Sequence, residues 1–107
     1  MDRVPAPEVY VTEELHLLLK GLPSSHKFRR WILDMKKVLL EHKYSGERIK
    51  KSLIPQYYIK NFGVYNLYRY DHPEGYRSCY TIVDNCPRIL DIMSHAQYDL
   101  RFGYKTT

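Results

Sequence analysis

The chain has 107 residues and a mass of 12.9 kDa, which is the size of one domain. Apolar residues make up 44% and charged residues 27%, which excludes global disorder, and no apolar run reaches the roughly 18–20 residues of a membrane span. There are 17 Lys and Arg residues against 12 Asp and Glu residues, and the net charge of +5 favours an anionic partner such as nucleic acid or an acidic protein. The first residues have no apolar stretch, so we expect no signal peptide, and we expect the two cysteines, Cys79 and Cys86, to be reduced. The sequence therefore predicts one cytoplasmic domain over residues 1–107.

The first half of the chain predicts two helices joined by a short turn. Thr12 is a suitable N-cap for a first helix that Gly21 ends. In the second helix, which Ser45-Gly46 ends, apolar residues recur at helical spacing: Phe28, Trp31, Ile32, Met35, Val38 and Leu39. Residues 1–11 are expected to form a loose arm or an edge strand, and residues 47–53 to add one helical turn before Pro55.

The second half of the chain changes to an alternating pattern rich in Tyr, Val and Ile. This pattern predicts strands over residues 64–70, 76–83 and 88–93, separated by turns at 71–75 and 84–87. The tail, residues 94–107, keeps aromatic side chains and is expected to dock on the rest. The predicted fold class is therefore α+β, with an N-terminal helical hairpin packed on one face of an antiparallel β-sheet.

A basic band stands out in the middle of the sequence. Between residues 27 and 60 ten basic residues face only three acidic ones, Asp34, Glu41 and Glu47. The basic residues are Lys27, Arg29, Arg30, Lys36, Lys37, Lys43, Arg48, Lys50, Lys51 and Lys60. Lys and Arg neutralise phosphates, so the band suits RNA; the alternative is an ordinary solvated helix face.

Two further parts of the chain, one predicted strand and the C-terminal segment, have side chains that suit chemistry on a phosphate. Arg77 lies inside a predicted strand, where its fork can hold a phosphate through two hydrogen bonds; the alternative is a rim arginine paired with a carboxylate. His95 can move protons near neutral pH, and Tyr98 or Tyr104 can do so when cations lower the pKa; the alternative for His95 is a surface residue. Without a phosphate-binding glycine loop or clustered metal ligands, we expect no cofactor and no metal.

Five segments in their order resemble the RelE/ParE superfamily of toxin–antitoxin toxins. They are the predicted helical hairpin, GERIKKSLIPQYY (46–58), VYNLYRY (64–70), EGYRSCYTIV (74–83) and RILDIMSHAQYDLRFGY (88–104). The resemblance covers about residues 12–105 and is strongest to the variant that ends in His-x-x-Tyr followed by Phe-Gly-Tyr. It implies a RelE-like microbial ribonuclease fold.

The resemblance also implies an activity and roles for individual residues. RelE-type toxins cut mRNA on the ribosome without a metal: the ribose 2′-OH attacks the adjacent phosphate. Arg77 matches the strand arginine that holds the scissile phosphate, which implies that its guanidinium points outward into a positively lined hollow. His95 and Tyr98 take the acid/base roles, with Tyr104 as a rival proton donor. RNA-binding roles fall to a supporting set of basic residues: Lys50, Lys51, Lys60, Arg69 and Arg101.

The resemblance leaves two other functions open. ParE-type relatives share the fold, inhibit DNA gyrase and do not cut RNA, and an inactive homologue would only bind RNA or protein. Many RelE-type members have an arginine after the last strand, where this chain has His95 and Gln97. In each case the resemblance implies a cognate antitoxin as partner; in the RelE case it adds the ribosome and mRNA, and it implies no membrane or small-molecule cofactor.

Overall fold

The protein is described by a computed structural model that covers residues 2–104. Within that range the four α-helices are α1 Glu13–Lys20, α2 Lys27–Glu41, α3 Gln56–Phe62 and α4 His95–Phe102. The five strands in the same range are β1 Tyr10–Val11, β2 Glu47–Arg48, β3 Tyr68–Asp71, β4 Arg77–Val83 and β5 Cys86–Ile89. The described part contains no helix long and apolar enough to cross a membrane.

The helical hairpin forms where the sequence predicts it. The Thr12 side chain accepts a hydrogen bond from the Leu15 amide, which caps α1, and Gly21 follows its last residue. The apolar stripe of α2 buries Ile32, Met35 and Leu39 against the sheet. Both predicted helices are confirmed, because each is specified by local capping and by a 3.6-residue period.

The strands form one sheet in the order β1-β5-β4-β3-β2. Neighbouring strands are antiparallel except that β1 runs parallel to β5, which makes part of the N-terminal segment an edge strand. The predicted α+β class is confirmed, with this parallel edge added to the antiparallel meander. Cys79 and Cys86 are both free thiols.

Two strand boundaries differ from the prediction. Residues 47–53 do not form a single helical turn: β2 pairs with β3 at residues 47–48, and only Lys51–Leu53 make a turn of 3₁₀ helix. The last strand is shorter than 88–93, although Met93 still bridges to Arg77 beside β4. Both differences depend on long-range pairing, which the local pattern does not contain.

Both faces of the sheet are covered, whereas the sequence predicts cover on only one. The first face packs Tyr68 and Tyr80 against α1 and α2. The second packs Cys79 against Tyr58 of α3 and Tyr98 of α4. The tail thus docks through α4, a helix that we did not predict, although residues 105–107 of the predicted tail lie outside the described residues.

Candidate functional site

The register of β3 and β4 brings three charged side chains to one face of the sheet. Asp71 pairs with Arg77, and Arg69 pairs with Cys79 two residues further along the ladder. Because alternate residues of a strand share a face, Arg69, Asp71 and Arg77 point to the side covered by α3 and α4. Both arginines are among the residues predicted from the sequence, whereas Asp71 is not, because only the register of β3 with β4 brings it to Arg77.

Arg77 is held loosely between two carboxylates. Its Nε lies 3.7 Å from Asp71 Oδ1 and its Nη1 lies 4.0 Å from Asp99 Oδ1, while 20% of the side chain is exposed. Both distances exceed the length of a hydrogen bond, so the N–H groups of the guanidinium are oriented by charge without being saturated by these acids. The guanidinium also lies over the Tyr98 ring, with Cζ 4.7 Å from the ring centroid.

Arg69 is bound much more tightly than Arg77. Its Nε donates to Asp71 at 3.0 Å, and its Nη2 donates to Glu47 of β2 at 2.8 Å. This ladder of ion pairs crosses β2, β3 and β4 and fixes Asp71 between the two arginines. Carboxylates therefore engage the Nε and Nη2 donors of Arg69, and Arg77, which forms no hydrogen bond to these acids, has more donors to offer a ligand.

The helix α4 places His95 next to this arginine. The His95 Nε2 atom lies 3.0 Å from Asp99 Oδ2 one helical turn later, in a charge contact. The imidazole is 58% exposed, whereas the Asp99 side chain is only 12% exposed. Asp99 thus connects His95 with Arg77, and its spacing of four residues from His95 was a sequence signal that we did not use.

Tyr98 is a buried member of the core and not an exposed acid. Its residue is 2% exposed. Burial raises the pKa of Tyr98 to about 12, and the nearby Arg69 offsets only part of that effect. A pKa lowered by cations, the condition under which we expect a tyrosine to transfer protons, is therefore not met at Tyr98, and its acid/base role stays a prediction.

Tyr104 remains accessible beside this core. It lies after α4, is 48% exposed, and its ring centroid is 6.2 Å from that of Tyr98. The structure therefore brings Arg77, Arg69, His95 and Tyr98 into one neighbourhood at the start of β4, and Tyr104 borders it through the Tyr98 ring. We name this neighbourhood the arginine–histidine site and include Asp71 and Asp99 in it.

The arginine–histidine site is not the positively lined hollow expected for Arg77. Two guanidiniums, from Arg69 and Arg77, lie among the carboxylates of Glu47, Asp71 and Asp99. Strand pairing brings Glu47 and Asp71 to the site, and α4 brings Asp99. The number of basic residues in the sequence does not predict either effect. Local charge is therefore close to balanced, and the site offers directed donors in place of a general positive potential.

Arg101 lies elsewhere, on the opposite side of α4. It donates to Asp91 at 3.1 Å and stacks over the Tyr57 ring at 3.9 Å. Asp91 also accepts from the Tyr58 hydroxyl at 2.6 Å and from the Cys79 amide at 2.9 Å. Burial raises the pKa of Asp91, and these donors pull it back, so the group is organised as an internal polar network.

The three predicted RNA-binding lysines are exposed but lie outside the contacts of the site. Lys50 and Lys51 follow β2, and Lys60 lies on α3. Within residues 2–104 none of them makes an ion pair with the acidic residues of the arginine–histidine site. Their role in RNA binding stays a prediction.

The basic band is not one continuous surface. Its first part lies on α2, which covers the sheet face opposite to Arg77. Arg29 donates to the carbonyls of Leu19 and Lys20 at the end of α1, and buried Lys43 donates to Asn85. The sheet therefore separates the basic residues of the band, and RNA binding by them stays a prediction.

No arrangement for a metal ion occurs in the described part of the chain, where no group of three or more His, Cys, Asp or Glu side chains could hold one. The chemistry available at the arginine–histidine site is thus that of a guanidinium with free N–H groups beside an exposed imidazole. The guanidinium of such a pair can bind an anionic ligand, and the imidazole can give that ligand a proton or take one from it.

The comparisons with known proteins bear on the fold. No protein-family model matches this sequence, and no curated protein matches it. A chain in the crystal structure of the archaeal RelE–RelB complex from Pyrococcus horikoshii OT3 is similar, with a TM-score of 0.53 and 20% sequence identity. The similarity covers 84% of this chain and 96% of that one. The protein therefore has a RelE-like fold.

Proposed function

We propose that this protein is the toxin of a toxin–antitoxin pair and that it cleaves mRNA on the ribosome without a metal ion. The observation that carries the proposal is the loosely held guanidinium of Arg77 beside the exposed imidazole of His95, joined through Asp99. The RelE-like fold supports the class of protein. Fold alone does not determine function, so the proposal depends on the chemistry of this pair.

Arg77 is the residue that binds the scissile phosphate. Its N–H groups lie 3.7 and 4.0 Å from the nearest carboxylate oxygens, so a phosphate oxygen replaces weak contacts and not saturated hydrogen bonds. A guanidinium can hold two phosphate oxygens at once and stabilises the extra negative charge of the pentavalent transition state. The ring of Tyr98 packs against the face of the Arg77 guanidinium and helps to hold it in place.

His95 and Tyr104 supply the proton transfers. His95 accepts the proton of the ribose 2′-OH. As this proton leaves, the 2′ oxygen forms a bond to phosphorus, and the bond between phosphorus and the 5′ oxygen breaks. Tyr104, exposed beside the site, donates a proton to the leaving 5′ oxygen. The products are a 2′,3′-cyclic phosphate and a 5′-OH. His95 then releases its proton to water and Tyr104 takes one from water, which restores both groups.

The nearly balanced charge of the site fits a requirement for the ribosome. Free RNA gains little from a site in which three carboxylates surround two arginines, because non-specific RNA binding depends on net positive charge. A ribosome that holds the mRNA in place makes a net positive charge at the site unnecessary. The exposed cations on α2, Arg30 and Lys37, and the exposed Lys50, Lys51 and Lys60 then contact ribosomal RNA.

An antitoxin is the second partner that we propose. The similar solved structure is a complex named RelE–RelB, in which two different chains are bound. With a net charge of +5, this chain suits an acidic partner, and the partner would keep Arg77 and His95 from mRNA until it is removed.

The test is cleavage of mRNA in a reconstituted translation reaction with and without ribosomes. We expect wild-type protein to give fragments with 2′,3′-cyclic phosphate and 5′-OH ends only when ribosomes are present. Arg77→Ala should reduce the cleavage rate by at least about 100-fold, because it removes the donors for the transition-state charge. Arg88→Ala, an exposed arginine on β5, is the matched control and should cleave as wild type does.

Two results would contradict the proposal. Full cleavage by Arg77→Ala, with the control also active, would remove Arg77 from the reaction. Intact mRNA together with DNA-damage signalling after induction would instead indicate a gyrase-directed toxin with the same fold.

A further inference from the structure

Asp99 is an unusual carboxylate for its position. It lies on the inner side of α4, where its side chain is only 12% exposed, while its partner His95 one turn earlier is 58% exposed. Ordinary ion pairs between residues i and i+4 of a surface helix leave both side chains in water. A carboxylate loses hydration free energy on burial and needs a compensating partner.

Comparison with Asp91 shows that Asp99 is not compensated in the same way. Asp91 accepts three hydrogen bonds, at 2.6, 2.9 and 3.1 Å, from Tyr58, the Cys79 amide and Arg101. Asp99 has one close partner, His95 at 3.0 Å, and one distant cation, Arg77 at 4.0 Å. Both partners belong to the arginine–histidine site. The Asp99 carboxylate therefore interacts with that site and not with polar groups of the core.

The contact also determines which nitrogen of His95 is reactive. At 3.0 Å a ring nitrogen that carried a lone pair would be repelled by the carboxylate oxygen, so the contact favours the tautomer with the proton on Nε2. In the neutral ring Nδ1 is then the atom with a free lone pair. Since the imidazole is mostly exposed, Nδ1 is available to a ligand held by Arg77.

We infer that Asp99 is the positioning residue of the site: it holds His95 through Nε2 and leaves Nδ1 as the atom that accepts the 2′-OH proton. The inference rests on the proposed function. In the reaction the proton moves from the 2′ oxygen to Nδ1, the ring becomes a cation, and the adjacent Asp99 carboxylate stabilises that cation. Asp99 itself neither gains nor loses a proton.

A double-mutant cycle tests whether Asp99 acts through His95. We expect Asp99→Ala to lower the single-turnover rate of ribosome-bound mRNA cleavage by about 10–100-fold, with little change in the KM for the ribosome complex. In a His95→Gln background the same substitution should lower the rate by less than about 2-fold. Leu100→Ala, at the adjacent and 78% exposed position of α4, is the control and should retain the wild-type rate.

A second measurement does not depend on activity. Ring N–H protons of histidine are seen by NMR when a hydrogen bond slows their exchange with water. The His95 Nε2–H signal, assigned by its loss in His95→Gln, should be present in wild type and in Asp99→Asn, whose amide oxygen still accepts, and absent in Asp99→Ala.

Three outcomes separate failure of the inference from failure of the proposed function. A ring N–H signal that is missing in wild type or persists in Asp99→Ala overturns the contact. An Asp99→Ala effect of equal size with and without His95 shows that Asp99 acts through Arg77 or the fold and overturns the positioning role. Wild-type protein that leaves ribosome-bound mRNA intact overturns the proposed function itself and the inference with it.

Discussion

The guanidinium of Arg77 and the ring of Tyr98 form a stacked pair, with Cζ 4.7 Å from the ring centroid. The Tyr98 ring is also part of the core, where it stacks on Phe102 with a distance of 4.1 Å between the ring centroids. A cation over an aromatic face gains about 0.5–2 kcal/mol, depending on its exposure to water. One ring therefore serves as core and as support for the arginine, which couples the stability of the fold to the position of Arg77.

The first prediction separates the ring of Tyr98 from its hydroxyl. Burial raises the pKa of Tyr98 to about 12, so the hydroxyl stays protonated and is not needed as a base. Tyr98→Phe keeps the aromatic face and should cleave within about 3-fold of wild type. Tyr98→Leu loses the face and should lower the cleavage rate by about 10-fold and the free energy of unfolding by about 2 kcal/mol. Cleavage assays and urea unfolding of both variants measure these effects.

The pair of variants also tests the acid/base role that the sequence resemblance implies for Tyr98. Loss of cleavage in Tyr98→Phe, at wild-type stability, would show that the hydroxyl takes part in proton transfer and that the ring alone is insufficient.

The second prediction concerns His72, which is buried beside Trp31 and lies 2.7 Å from the Ser78 hydroxyl. Burial lowers the pKa of His72 to about 4, and the charge of Asp71 offsets only part of this effect. The unfolded chain has a histidine pKa near 6.5, so it binds a proton between about pH 6.5 and 4 where the folded state does not. Stability from His72 is therefore complete above about pH 6.5 and is lost as the pH falls towards 4.

Comparison of wild type with His72→Phe isolates this residue from the other histidines. At pH 7.5 wild type should be the more stable of the two, and that advantage should shrink by about 2 kcal/mol at pH 4.5. Urea unfolding at both pH values measures the difference. An advantage that is independent of pH would show that His72 is not held in its neutral form.

The helical hairpin could be predicted because its signals are local. Thr12 and Gly21 mark the ends of α1, and the apolar stripe of α2 repeats every 3.6 residues. By contrast α4 was missed, although Ser94 and Gln97 form a capping box at its start. The aromatic residues around this capping box favour a docked tail over a helix, and without α4 the sequence predicts no cover for the second face of the sheet.

The candidate site could be predicted only in part, because its acidic residues depend on tertiary structure. Arg77 and His95 stand out by residue type, and the fold brings them together through Asp99. Asp71 reaches Arg77 only through the register of β3 with β4. The excess of basic residues over residues 27–60 could not place a binding surface for the same reason, since a sum along the chain does not show on which side of the sheet each cation lies.

The third prediction is that Arg101 stabilises the fold through Asp91. The Arg101 guanidinium lies 3.1 Å from the Asp91 carboxylate, whose side chain is only 16% exposed. Arg101→Ala leaves that carboxylate without its cation and should lower the free energy of unfolding by about 2 kcal/mol at pH 7.5. Arg88→Ala, at an exposed arginine of β5, should change it by less than about 0.5 kcal/mol.

The effect of Arg101→Ala should depend on pH. Burial raises the pKa of Asp91 and Arg101 lowers it, so removal of the arginine raises the pKa further. A carboxyl group with a raised folded pKa binds its proton more strongly in the folded state, so stability falls as the pH rises through that range. The loss in Arg101→Ala should therefore be smaller at pH 4 than at pH 7.5. A loss of equal size at both pH values would contradict the assignment to Asp91.

The fourth prediction is that Gly46 allows β3 and β4 to pack against the end of the helical hairpin. A Cβ atom on Gly46 would lie 2.6 Å from the Arg69 carbonyl oxygen and 2.7 Å from Tyr80 Cε1. The Gly46 amide also donates to the Tyr80 hydroxyl at 2.9 Å, so the segment cannot shift without losing this bond. Gly46→Ala should therefore lower the free energy of unfolding by about 2–3 kcal/mol.

Gly21 provides the matched control for Gly46→Ala. Its φ is −76°, and a Cβ there would meet only carbonyl oxygens at 3.5 and 3.6 Å, which is ordinary contact. Gly21→Ala should change the free energy of unfolding by less than about 0.5 kcal/mol, or raise it slightly by restricting the unfolded chain. Urea unfolding of the two variants measures the contrast. Equal stabilities would mean that the backbone around Gly46 and Arg69 can move apart to accept the added Cβ atom, and would contradict the prediction.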